Sequence, residues 1–249
     1  MNGELLNLIN LTIGLKQVLR GKDFAPNLDG FPEKFVAEAH FEFAKARLFG
    51  GKNFDSLAKW IDELRRRNLK DVKLICQTEI KDLGFVGFSN AVHHVLLTSF
   101  PKDNSGWISV WSFDAARQKW SIKYSEQYHE HTRMLNVHCK DNSADFAEIL
   151  QKINDFALKI GENYWAENHF QKALECLVEP RVSDDVLPQK NQQMLEAAKK
   201  SWVFGAMGSW TDSPPYASEQ KGLRADYDNL SRRLYDEILH SVLFAVNEW

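Results

Sequence analysis

Five of the eight histidines fall between positions 93 and 138: His93 and His94, the pair His129-x-His131, and His138 beside Cys139. Two histidines at i, i+2 on an extended segment point to the same side of the chain, where neutral imidazole nitrogens share a divalent metal readily. His129 and His131, with one of His93, His94 or His138, would give a three-ligand set, and Asp103, Asp114 or Glu130 would supply a fourth. Such a site activates water, so the chemistry it implies is metal-dependent hydrolysis. The spacing nevertheless matches no standard zinc pattern, because HExxH, CxxC and paired Cys/His knuckles are all missing.

Other reactive groupings fail on geometry. Cys139 and His138 are neighbours, and adjacent residues of a strand face opposite ways, which keeps the thiol out of reach of the imidazole. Ser209 has Met207 and Thr211 where a nucleophile elbow needs glycines. Gly50-Gly51-Lys52-Asn53 lacks the leading glycine and the hydroxyl residue of a phosphate loop. Gly84-x-x-Gly87 and Gly205-x-x-Gly208 are isolated glycine pairs without a basic surround. No cofactor motif is found, and no cofactor is expected.

The densest unusual stretch is SWVFGAMGSWTDSPPY, residues 201–216. Trp202 falls on the inner stripe of a preceding helix. Gly205 reads as the left-handed stop of that helix, Gly208 as a second tight turn, and Pro214-Pro215 as the stiffening of an extended run. An ordered loop bearing aromatic rings offers large contact area per lost degree of freedom. Trp202, Trp210, Asp212 and Tyr216 are therefore the candidate binding residues.

The elements that carry these groups follow from periodicity. The N-terminal stretch has Leu5, Leu8, Ile9, Leu15 and Leu19 on one side and Asn7, Asn10, Thr12 and Gln17 on the other, the pattern of a docked amphipathic helix without a signal-peptide character. Residues 35–49 and 53–67 read as a helical hairpin. Segments 71–80, 84–99, 106–113, 118–128 and 133–139 are rich in β-branched and aromatic residues separated by turn signals, and predict strands. From Asn142 onward the period is 3.6, giving helices to Gly161, to about Pro180, over 191–204 and over 221–249, with 181–190 as the only linker-like stretch. Within the second of these, G-x4-A-x3-F-x2-A at Gly161, Ala166, Phe170 and Ala173 resembles the second half of a tetratricopeptide repeat. It covers about one repeat, so no array is implied. The fold class expected is α+β: one domain with an antiparallel sheet of four to five strands, flanked and covered by N-terminal and C-terminal helices.

A chain of 249 residues with a net charge of −3 has neither the basic field of a nucleic-acid binder nor a membrane-spanning run. The basic run Arg65-Arg66-Arg67 with Lys70 reads as the solvated end of a helix. Cys76, Cys139 and Cys176 are odd in number and widely spaced, as in a reducing cytoplasm. Eight Trp and 16 Phe exceed what reactive chemistry explains. The function expected is therefore an intracellular protein-interaction module without catalytic activity: an adaptor, an inhibitor or a toxin-neutralising partner. It would bind another protein, or a second copy of itself through the apolar turns Leu239 to Val246 of the last helix. The alternative is the metal-dependent hydrolase on His93, His129, His131 and His138.

Overall fold

A computed structural model describes residues 1–24, 36–42, 53–78, 80–128, 139–179, 186–205 and 207–249. The chain is α+β and divides into two compact units, one of residues 3–77 and 92–137, the other of residues 1–2, 78–91 and 138–249.

The first unit holds a six-stranded sheet. Its strands are β1 (Val36–Glu42), β2 (Asn53–Phe54), β3 (Asp71–Ile75), β4 (Val95–Ser99), β5 (Asn104–Asp114) and β6 (Lys119–Tyr128), in the spatial order β2-β1-β6-β5-β4-β3. β3 to β6 form the expected antiparallel meander, whereas β1 pairs with β6 in parallel and makes the sheet mixed. The helical hairpin expected over 35–67 is thus corrected. Its first half holds the strand β1, and only Leu57–Arg66 (α2) is helical. The F-x-A-x-A-x-F alternation, equally compatible with either period, is read by the sheet: Phe41 faces the core and stacks on Tyr124 of β6 at 5.0 Å and on Trp60 of α2 at 4.3 Å. Trp60 in turn meets the edge of Trp107 at 5.2 Å. On β1 and β6 the other sheet face is polar, with Lys123 on Glu42 at 2.8 Å and Ser121 on Glu38 at 3.1 Å.

Two further readings change. In the segment 84–99 only Val95–Ser99 is a strand; Leu83–Phe85 is a short 3-10 turn and Asn90 takes a positive φ of 62°. The N-terminal helix α1 (Gly3–Leu19) is docked as expected, but its polar side is buried too. Asn7 donates to the Tyr124 hydroxyl at 2.7 Å, and Ser109 donates to Glu4 at 2.9 Å. These bonds offset the desolvation that burial of such groups would otherwise leave uncompensated. Arg67 departs from the solvated reading as well: it leaves the run to pair with Glu126 at 2.5 Å, with Glu126 almost fully enclosed, and lies 4.1 Å over the Phe100 ring. The expected strand 133–139 lies outside the described residues except for Cys139.

The second unit is helical. α3 (Ser143–Ile160) ends on Gly161 at φ 87°, the left-handed stop its sequence predicts. Asn142 is the N-cap residue of this helix, but its side chain makes no capping bond; its amide donates to Glu237 and its carbonyl oxygen accepts from Ser241. α4 continues through Asn163–Trp165, a π-helical turn Ala166–Phe170, and Gln171–Val178, with the Gln171 N–H reaching back to the Ala166 carbonyl. α5 (Gln189–Lys200), α6 (Pro214–Gln220) and α7 (Arg224–Asn247) follow. The apolar stripe of α7, Leu234, Ile238, Leu239, Val242 and Val246, is buried to the helix end, which accounts for the apolar last turns as core.

Candidate functional site

Residues 201–216 are built around Trp210. Its indole is fully buried, donates to the Ser231 hydroxyl at 2.8 Å, and meets Phe170 and Trp165 edge-on at 5.1 and 6.1 Å. Its backbone N–H donates to the Val203 carbonyl at 3.0 Å, and its carbonyl accepts from the Tyr227 hydroxyl at 2.8 Å. An indole whose N–H and backbone are all satisfied in the core fixes the loop around it. The prolines differ from expectation: Pro214 and Pro215 open α6 as its first two residues, where a missing N–H costs nothing. Gly205 is not a helix stop, since α5 ends at Lys200 and Gly205 has no positive φ. A methyl group on Gly87 would lie 2.5 Å from the Gly205 Cα, so the close approach of two backbones demands glycine at 87, whereas a methyl group on Gly205 would meet only Ser209, at 3.5 Å. Gly208, at φ 76°, is the tight turn expected, and its N–H donates to the Asp212 carboxylate at 2.7 Å.

The crossing of Gly87 and Gly205 borders a cavity of about 400 Å³ whose lining includes Tyr164, Trp165, His169, Trp202, Phe204 and Gly208. The Trp165 and His169 rings are 4.9 Å apart, and Tyr164 meets both edge-on at 5.4 and 5.7 Å. Trp202 and Phe204 are set by Tyr235 of α7, at 5.8 and 5.5 Å. The π-helical turn carries His169 on this wall; such turns interrupt the regular ladder and recur at functional sites. His169 Nδ1 lies 3.1 Å from the Lys200 carbonyl, an acceptor only, so Nδ1 carries the proton and Nε2 keeps its lone pair. Desolvation holds the His169 pKa below its ordinary value; the Lys200 carbonyl works against this, and the charges of Lys172 and Lys200 add to it. The ring is therefore neutral at pH 7.

The candidate binding residues take different places. Trp202 lines the cavity, Trp210 stands behind its wall, Asp212 ties the loop to Gly208, and Tyr216 is exposed on α6 away from the lining. Tyr164, Trp165 and His169 were not singled out from sequence, because their stretch reads as helix packing and histidine spacing draws attention to 93–138. Of the candidate metal ligands, His93 is exposed while His94 beside it is buried. His129, His131 and His138 lie outside the described residues, among which there is no group of three or more potential metal ligands. Ser209 also borders the cavity, but its hydroxyl bonds to Thr211 at 2.9 Å and His169 to the Lys200 carbonyl, so the two do not form a nucleophile and base pair. No helix among the described residues is long and apolar enough to cross a membrane. Compared with known protein families, with characterised proteins and with solved structures, the chain matches none.

Proposed function

We propose that the protein is an interaction module, an adaptor or inhibitor, that grips another protein at the aromatic cavity and its rim. The observation that carries this reading is the rim. Tyr164 is 62% exposed and Met207 93% exposed, and Phe85 and Phe88 flank Gly87 with their rings in solvent. Each belongs to, or sits within two residues of, the cavity lining. Exposed large apolar side chains grouped around a concave aromatic site are what a partner covers, and aromatic anchors in pockets dominate binding energy. Among the described residues Cys76, Cys139 and Cys176 form no disulfide, which fits a reducing compartment as the place of work.

The test is capture of a partner from native extract by the full chain, compared with Tyr164→Ser/Met207→Ser. A stoichiometric partner held by the wild type and lost by the folded variant is expected. No partner at low salt, or one held equally by the variant, overturns the reading; light scattering of the purified chain reports self-association separately.

A further inference from the structure

Beyond the last paired residues of β3 and β4 the two chains stay side by side. The ladder closes on the pair Ile75 and Val95, and past it the His93 N–H donates to the Gln77 side chain at 3.4 Å. Cys76 and His94, bracketed by these two contacts, are therefore directly opposed and share one face. Opposed residues of an antiparallel pair hold their Cβ atoms about 4.5–5.5 Å apart. Burial follows the same alternation: Leu74 and Cys76 on one chain and Leu96 and His94 on the other are buried, Ile75 and Val95 between them are half-buried, and Gln77 and His93 are exposed. Cys76 is 9% exposed and His94 1%.

A thiol and an imidazole enclosed together are ligands for a soft metal ion. His94 is the informative member. Its Nδ1 is shielded from solvent and has no hydrogen-bond partner, the opposed thiol included, and a buried polar atom of that kind costs stability until something pairs with it. A linear bridge with metal–sulfur and metal–nitrogen bonds of about 2.3 and 2.0 Å sets its two ligand atoms roughly 4 Å apart, a span that opposed strand residues provide. The number of ligands and the enclosure choose the ion. Zinc closes its structural sites with four ligands, and the described residues contain no group of three. Cu(I) is satisfied by two soft ligands. Cys76 forms no disulfide, and a thiol gives up its proton on binding metal. The single positive charge of Cu(I) cancels that of the thiolate, so the enclosed site gains no net charge, whereas a divalent ion would leave one charge buried and uncompensated.

We propose that Cys76 Sγ and His94 Nδ1 form a two-coordinate site for Cu(I), separate from the interaction surface and independent of it. The test uses the full chain, reduced and metal-free, titrated without oxygen into the Cu(I)–bicinchoninate complex, whose absorbance falls as copper is withdrawn. The wild type and Cys139→Ser/Cys176→Ser are expected to withdraw one Cu(I) per chain, and Cys76→Ser and His94→Leu to bind at least about tenfold more weakly. Copper K-edge X-ray absorption of the loaded wild type is expected to show one sulfur and one nitrogen ligand. That spectrum needs no variant, so it decides the matter even where a substitution at these buried positions unfolds the chain. Zn(II) added to the loaded protein should not displace the copper. No withdrawal by the wild type, a spectrum of sulfur ligands alone, displacement by Zn(II), full affinity in folded His94→Leu, or loss of binding in folded Cys139→Ser/Cys176→Ser each overturns the proposal.

Discussion

Lowering the pH from 7 to 4 should destabilise the protein through one buried side chain, His94. The ring is 1% exposed and its Nδ1 has no hydrogen-bond partner. Desolvation, with a smaller contribution from His93, pushes its pKa from the ordinary 6.5 to about 4. Above pH 6.5 neither the folded nor the unfolded chain protonates this ring. Between 6.5 and about 4 only the unfolded chain does, so stability falls as pH falls, and below about 4 the loss is complete. At about 1.36 kcal/mol per pH unit the loss amounts to about 3 kcal/mol, a large part of the roughly 5–15 kcal/mol that holds a typical domain together. Urea unfolding at a series of pH values, run on the wild type and on His94→Leu, isolates the effect from carboxylates such as Asp55 and Glu148, whose lowered pKa values place their own contributions at more acid pH. The variant should lose much of the pH dependence in this window and be no less stable at pH 7, since Leu leaves no unpaired polar atom. An unchanged slope in the variant, or a His94 NMR titration centred near 6.5, would refute the reasoning.

Three further outcomes follow from particular contacts. Glu126→Ala removes the enclosed carboxylate facing Arg67, leaving it Ser105 at 3.3 Å and Asp103 at 3.9 Å, and should cost about 1.5–3 kcal/mol in urea unfolding, with Arg67→Met/Glu126→Leu recovering most of it. Trp210→Phe removes the donor to Ser231 and part of a fully packed ring, so the melting temperature should drop, consistent with about 1–3 kcal/mol; an unchanged melting temperature would show that the indole N–H is dispensable. Gly87→Ala forces apart the crossing with Gly205 and should cost about 1–3 kcal/mol, whereas Gly84→Ala, whose nearest neighbour is the side chain of Asp82 at 3.2 Å, should cost less; equal losses would contradict the close approach.

Much of this architecture is legible in the sequence because period and turn chemistry are local. The Asp114–Gln118 hairpin connection, the stop at Gly161 and the stripe of α7 all stand where the pattern places them. What escapes is set by partners distant along the chain. Residues 36–42 become a strand because β6 offers a parallel edge eighty residues away, and no local propensity of an Ala-rich segment announces that. Arg67 looks like a solvated helix end until Glu126 is placed beside it. The two glycine pairs are each uninformative alone, and their meaning lies in the contact between Gly87 and Gly205. The loop 201–216 is legible as an aromatic feature but not in its orientation: Trp210 points inward and Tyr216 outward, and the wall opposite Trp202 comes from α4.

The most direct measurement is site-specific photocrosslinking in cells. A benzoylphenylalanine introduced at Tyr164, on the cavity mouth, is compared with one at Phe113, also solvent-exposed but on β5. The account predicts that position 164 yields a discrete adduct with one partner protein, and that the adduct disappears when Trp202→Ala is added, while position 113 yields none. Adducts at position 113 alone, or an adduct at 164 indifferent to Trp202, would contradict it.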